Sequence, residues 1–149
     1  MIKFLLACCL VCLPLRHLQL TSVYGFRFHP LTGRYTFHKG IDLRARSDTV
    51  FAVLGGKVAC AAFDPLLGLF VRLDHGDFET LYGHLSQVFM LAGDSVNAGS
   101  ALGITGSSGQ TTGEHLHFAV TYQHTAINPI EFLTLLNNKF HLNKKETKQ

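Results

Sequence analysis

From Thr49 to Val120 the chain repeats short apolar runs broken by glycine and aspartate: V-F-A-V-L, K-V-A-C-A-A, G-L-F-V-R-L, E-T-L-Y-G-H-L, S-A-L-G-I-T and H-L-H-F-A-V. Runs of this length at close spacing predict strands of a mainly β domain, either an antiparallel sandwich or a partly open barrel, with a groove over one sheet face. The pattern changes once, near the end. Asn128 can cap a helix, Pro129 suits its first position, and Glu131 can complete a capping box before F-L-T-L-L. That short C-terminal helix is expected to end near Asn138.

The beginning has a third pattern. Lys3 precedes an apolar run of twelve residues, Phe4 to Leu15. A bilayer span needs about 20, so the run predicts an export signal and no stable membrane span. L-L-A-C at Leu5 to Cys8 loosely matches a lipoprotein cleavage site. The expected division is therefore an export segment over 1–15, one folded domain over 16–138, and a basic, disordered tail over 139–149. With 149 residues, 47% hydrophobic and 15% charged, one domain with an ample core is the natural size.

Charge narrows the function classes. The net charge of +3 equals Lys139, Lys144, Lys145 and Lys148 less Glu146, so the rest of the chain is neutral. A nucleic-acid-binding domain needs basic residues over a folded face, and none is predicted. Cys8, Cys9 and Cys12 fall in the export segment, which leaves Cys60 as a buried, apolar residue without a disulfide partner.

The candidate chemistry is a zinc site in three clusters: His38 and Asp42 in F-H-K-G-I-D, His84 in L-Y-G-H-L, and His115 and His117 in E-H-L-H-F. A catalytic zinc needs three protein ligands and an open position, and His38, Asp42 and one of the later pair meet that count. The H-x-H spacing points both imidazoles to one face of a strand. In H-K-G-I-D the four-residue spacing keeps both side chains on one face of an extended segment, and Gly40 lets the backbone bend closely around a metal.

The same residues carry a family resemblance. F-R-F-H-P-L-T-G-R, H-x-x-x-D, Y-x-H, G-I-T-G-S-S-G-Q-T-T-G, H-x-H and I-N-P-I-E-F-L follow one another in order between Thr21 and Leu133. In this the chain resembles the lysostaphin and LytM family of zinc endopeptidases, which cut peptide bonds in bacterial peptidoglycan. The resemblance implies that His38, Asp42 and His117 bind one zinc ion per chain, and that His84 and His115 are the catalytic pair. It implies an exported enzyme of the periplasm, cell envelope or medium, monomeric, acting on peptidoglycan stem peptides. The alternative is a non-catalytic peptidoglycan-binding module or amidase activator. A third reading keeps the zinc but cuts another bond, as a carboxypeptidase or amidase.

Without an H-E-x-x-H helix there is no motif glutamate to serve as base, so an imidazole must do so. His115 is the candidate base, and His84 would orient the water or donate to the oxyanion. The other histidines read differently. His17, His124 and His141 match no motif, and His29 and His75 read as structural. Tyr82, two before His84, is expected on the same strand face, packing in the core. Glu114 is expected on the opposite face to His115, in solvent. Arg27 and Arg34 flank the run into His38 and are either surface charge or partners for a substrate carboxylate.

Overall fold

The computed structural model describes residues 11–146, with side chains through Asn138. Its strands are β1 (Leu20–Ser22), β2 (Gly25–Phe28), β3 (Tyr35–His38), β4 (Ile41–Arg44), β5 (Thr49–Phe51) and β6 (Gly56–Asp64). They continue as β7 (Gly68–Asp74), β8 (Phe78–Val88), β9 (Ser95–Val96), β10 (Ala101–Thr105), β11 (His115–Tyr122) and β12 (Thr125–Ile127). One helix, α1 (Pro129–Glu146), follows. Every pairing is antiparallel, and the fold is mainly β as the run lengths predict.

The large sheet runs β1-β4-β11-β8-β7-β6-β9, with β10 joined to β8 and β5, and β12 to β11. β2 and β3 form a separate hairpin. Alternation decides which side of the sheet faces the core. In β11 Leu116, Phe118 and Val120 are fully buried, while His115, His117 and Ala119 between them are half-buried on the other face. Ile41, Leu43, Leu73, Tyr82, Leu85 and Leu102 complete that core.

The helix outruns its expected end. α1 begins as predicted, with Ile130 N–H donating to the Asn128 carboxamide at 3.0 Å, and Phe132 and Leu133 anchoring it to the sheet. It then runs on to Glu146, into the segment expected to be a disordered tail. No glycine or proline stops it. At the other end Leu15, the last residue of the expected export segment, packs with the domain. Leu15 is 2% exposed in the core, and Phe51 N–H donates to Pro14 O. Residues 1–10 of the predicted export segment lie outside the described residues. Among the described residues no helix is long and apolar enough to cross a membrane.

Candidate metal centre

His38 and Asp42 do not share one extended segment, as their spacing suggested. His38 closes β3 of the hairpin, the chain turns at Lys39 and Gly40, and Asp42 is the second residue of β4 in the large sheet. The corner points both side chains into one cleft. Asp42 pairs directly with His117 across the β4–β11 ladder, and Arg44 with His115, so two alternate rungs, either side of Leu43 and Leu116, present their polar side chains to the cleft.

His84 arrives by a bulge. Val71 pairs with Tyr82 and Leu69 with Leu85, so two residues of β8, Gly83 and His84, oppose the single Phe70. His84 takes φ 60°, an uncommon conformation for a residue other than glycine. The extra residue reverses the alternation. Tyr82 points into the core against Phe118 with ring centroids 5.4 Å apart, whereas His84 faces the cleft, 4.6 Å from the His115 ring. The expectation that Tyr82 and His84 share a face is overturned; core packing for Tyr82 holds, and its hydroxyl accepts Val53 N–H at 3.0 Å.

The donor atoms converge tightly. His38 Nε2 lies 3.3 Å from Asp42 Oδ1 and 3.2 Å from His117 Nδ1, and His117 Nδ1 lies 3.0 Å from Asp42 Oδ1. Zinc bonds of about 2.0–2.1 Å in a tetrahedron place donor atoms about 3.3 Å apart, so this triangle fits the ion. The tautomers fit as well. His38 Nδ1–H donates to Val23 O at 2.8 Å, leaving Nε2 as the lone-pair nitrogen. Gly40 fits by having no side chain, since a β-carbon there would collide with the His117 ring.

Electrostatics favour a bound cation. Burial pushes the Asp42 carboxyl up, but hydrogen bonding to His117 and His38 outweighs it and holds the group well below the usual carboxylate range. Burial pushes His117 down, against the pull of Asp42, so its ring favours the neutral form that a metal requires. The His84 ring is also pushed down, chiefly by burial.

His84 and His115 flank the triangle with one nitrogen tied back. His84 Nδ1–H donates to Ser108 O at 2.8 Å, and His115 Nδ1–H to Gly113 O at 2.9 Å. Each turns Nε2 into the cleft, where His115 Nε2 stands 3.5 Å from Asp42 Oδ1. The cleft holds about 660 Å³ and is walled by the hairpin around Arg27 and Phe28, by Leu66 and Leu67, and by the glycine-rich loop at Gln110 to Glu114.

Neighbouring residues sort themselves. Arg27 is part of the site: its guanidinium lies 3.5 Å from Asp42 Oδ2. Glu114 is not free in solvent, because its carboxylate accepts from Ser47 N–H and from the Thr105 hydroxyl. His29 and His75 are structural as expected. His29 Nδ1 accepts the N–H of Leu31 in the hairpin tip, and His75 bridges Gly55 O and Thr80 Oγ1 at 2.8 Å each. Cys60 is half-buried, where full burial was expected. Arg27, Ser108 and Thr111 lie within the quoted flanking motifs, but only the fold shows that they meet Asp42, His84 and His115.

Relatives share this arrangement of sequence and fold. An uncharacterized metalloprotease of Haemophilus influenzae is 37% identical over 107 residues, covering 70% of this chain and 22% of that protein. The peptidoglycan DD-endopeptidase ShyA of Vibrio cholerae is 32% identical, over 70% of this chain and 25% of its own length. The chain thus spans about a quarter of these curated relatives. The catalytic domain of lysostaphin from Staphylococcus simulans superposes with a TM-score of 0.72 at 30% identity, over 78% of this chain and 92% of that domain. The sequence pattern of Peptidase family M23 matches residues 36–129, from within β3 to the start of α1, a stretch that contains all five cleft residues. By that match over most of its length, the chain belongs to peptidase family M23.

Proposed function

We propose that this chain is a zinc-dependent endopeptidase that hydrolyses peptide cross-links of bacterial peptidoglycan after export to the cell envelope. His38, Asp42 and His117 would hold the ion, and His84 and His115 would move protons beside it. The observation that carries the reading is the triangle of donor atoms at 3.0–3.3 Å, flanked by two imidazoles that are held at Nδ1 by backbone carbonyls and turn Nε2 into the cleft. Relatives named as peptidoglycan endopeptidases support the substrate class.

When bound, zinc lowers the pKa of water from about 15.7 toward about 7 and polarises a carbonyl. The chain supplies the rest. His115, held at Nδ1 by Gly113 O, takes the proton of the attacking water at Nε2 and delivers one to the leaving amine. His84, held at Nδ1 by Ser108 O, turns Nε2 toward the cleft, where it orients the water or, once protonated, stabilises the oxyanion by roughly 3 kcal/mol. Both rings are fixed by backbone carbonyls, so neither has to reorganise as charge develops.

The test is release of new amine termini from purified peptidoglycan, with and without a chelator, beside a His117→Ala control. Release abolished by chelator and by the substitution is expected, and fragment masses would name the bond as endopeptidase, carboxypeptidase or amidase product. A folded, zinc-loaded protein that released nothing from walls of several cross-link types would replace this reading with the amidase activator.

A further inference from the structure

The cleft does not end at His115. Asp42 and Arg44 alternate along β4 with the buried Ile41 and Leu43 and both line the metal cleft, and Arg46 follows two residues on, beyond the strand end. Arg44 and Glu114 line both the metal cleft and an adjoining hollow of about 970 Å³. Arg16, His17 and Arg46 stand around that hollow, over Leu15 and Phe51.

The hollow is built on fixed chain. Arg44 N–H donates to Gln19 O at 2.8 Å, and Asp48 N–H donates to Thr105 Oγ1 at 2.9 Å. Its two carboxylates are engaged by other groups. Asp48 accepts Arg46 N–H at 2.8 Å, and Glu114 is held by Ser47 and Thr105. Among the described residues, the guanidinium groups of Arg16, Arg44 and Arg46 form no ion pair. Three exposed cations therefore line the cavity against two carboxylates, an excess of one positive charge, beginning at Arg44, two residues along β4 from Asp42.

We propose that this hollow is the carboxylate-binding arm of the substrate cleft, in which Arg44 reads a free carboxylate on the peptide and Arg16 and Arg46 hold further negative charge beyond it. The inference rests on the peptidase reading and deepens it. Residues two apart in extended chain lie about 7 Å apart, in this strand as in a bound peptide. Arg44 therefore meets a group about two residues from the bond held at Asp42 and His117. Guanidinium and carboxylate match as a planar, two-pronged pair, which explains arginine in preference to lysine at this position.

The test uses two peptides that differ only in carrying a carboxylate or a primary amide at that place. Each is measured for kcat/KM with zinc, and for equilibrium binding to the intact chain in chelator. Wild type is expected to favour the acid by about tenfold or more in both measurements. Arg44→Gln should bring the ratio toward one, and Arg44→Lys should restore part of it. Equal handling of acid and amide by wild type, or an undiminished ratio in Arg44→Gln, would overturn the proposal. A glycerol-phosphate oligomer that competes strongly while acid and amide remain equal would assign the hollow to phosphate instead. Discrimination in binding without any cleavage would retire the peptidase reading but leave the carboxylate arm standing; cleavage without discrimination would do the reverse.

Discussion

A β-carbon on Gly40 would stand 2.7 Å from Cε1 of His117, and equally 2.7 Å from Phe118 O. The corner between His38 and Asp42 and the H-x-H strand thus occupy one space, and only a residue without a side chain fits between them. Gly40→Ala must displace either the His117 ring or the β11 backbone. Zinc affinity is expected to fall at least tenfold, with a loss of about 1–3 kcal/mol in stability from overpacking. Metal titration beside urea unfolding checks both; unchanged affinity would mean that the ring has room.

Arg27 acts on the opposite oxygen of the same carboxylate. Its guanidinium lies 3.5 Å from Asp42 Oδ2, while Oδ1 faces the imidazoles of His38, His115 and His117. Holding Oδ2 would leave Oδ1 as the single atom offered to a metal. Arg27→Gln is expected to weaken zinc binding by about 10–100-fold. The partly exposed ion pair itself is worth only about 1 kcal/mol or less of stability. A large drop in melting temperature of the metal-free chain, with affinity intact, would make Arg27 a packing residue instead.

The five cleft residues should separate into two classes on substitution. His117→Ala removes a donor of the triangle and should lose both metal and turnover. His84→Ala and His115→Ala leave the three donors in place, so zinc content should stay near one per chain while turnover falls about 10²–10⁴-fold. Metal analysis of each purified variant beside its rate decides this, and loss of metal from either His84 or His115 variants would move that residue into the ligand set.

How much of this centre the sequence discloses depends on how local its causes are. The H-x-H pair, the cap at Asn128 and the short apolar runs follow from strand alternation and backbone hydrogen bonding within a few residues, and they read directly. The His84 bulge does not. It arises where β7 and β8 pair with unequal residue counts, so Tyr82 and His84 part to opposite faces although their spacing says otherwise. Glu114 and Arg27 were misplaced for the same reason. Their partners, Ser47, Thr105 and Asp42, are distant in sequence or lie across a corner between two sheets.

Protons should destabilise the metal-free chain from two places. Burial pushes His75, His84 and His117 below their ordinary value of about 6.5, so below that pH the unfolded chain binds more protons than the folded one. Stability is therefore complete above about pH 6.5 and falls as the medium is acidified. Asp42, held low, adds a loss only when the pH falls below its unfolded value of about 3.9. His75 is remote from the zinc triangle, in a polar chain that runs through Thr80 and the Tyr82 hydroxyl to Val53 N–H. Its Nδ1–H donates to Gly55 O at 2.8 Å, and burial disfavours a second proton on the ring. Urea unfolding in chelator at pH 7.5 and pH 5.5 should show a clear loss for wild type and a smaller one for His75→Gln. An identical loss in the variant would place the whole acid sensitivity in the metal cleft.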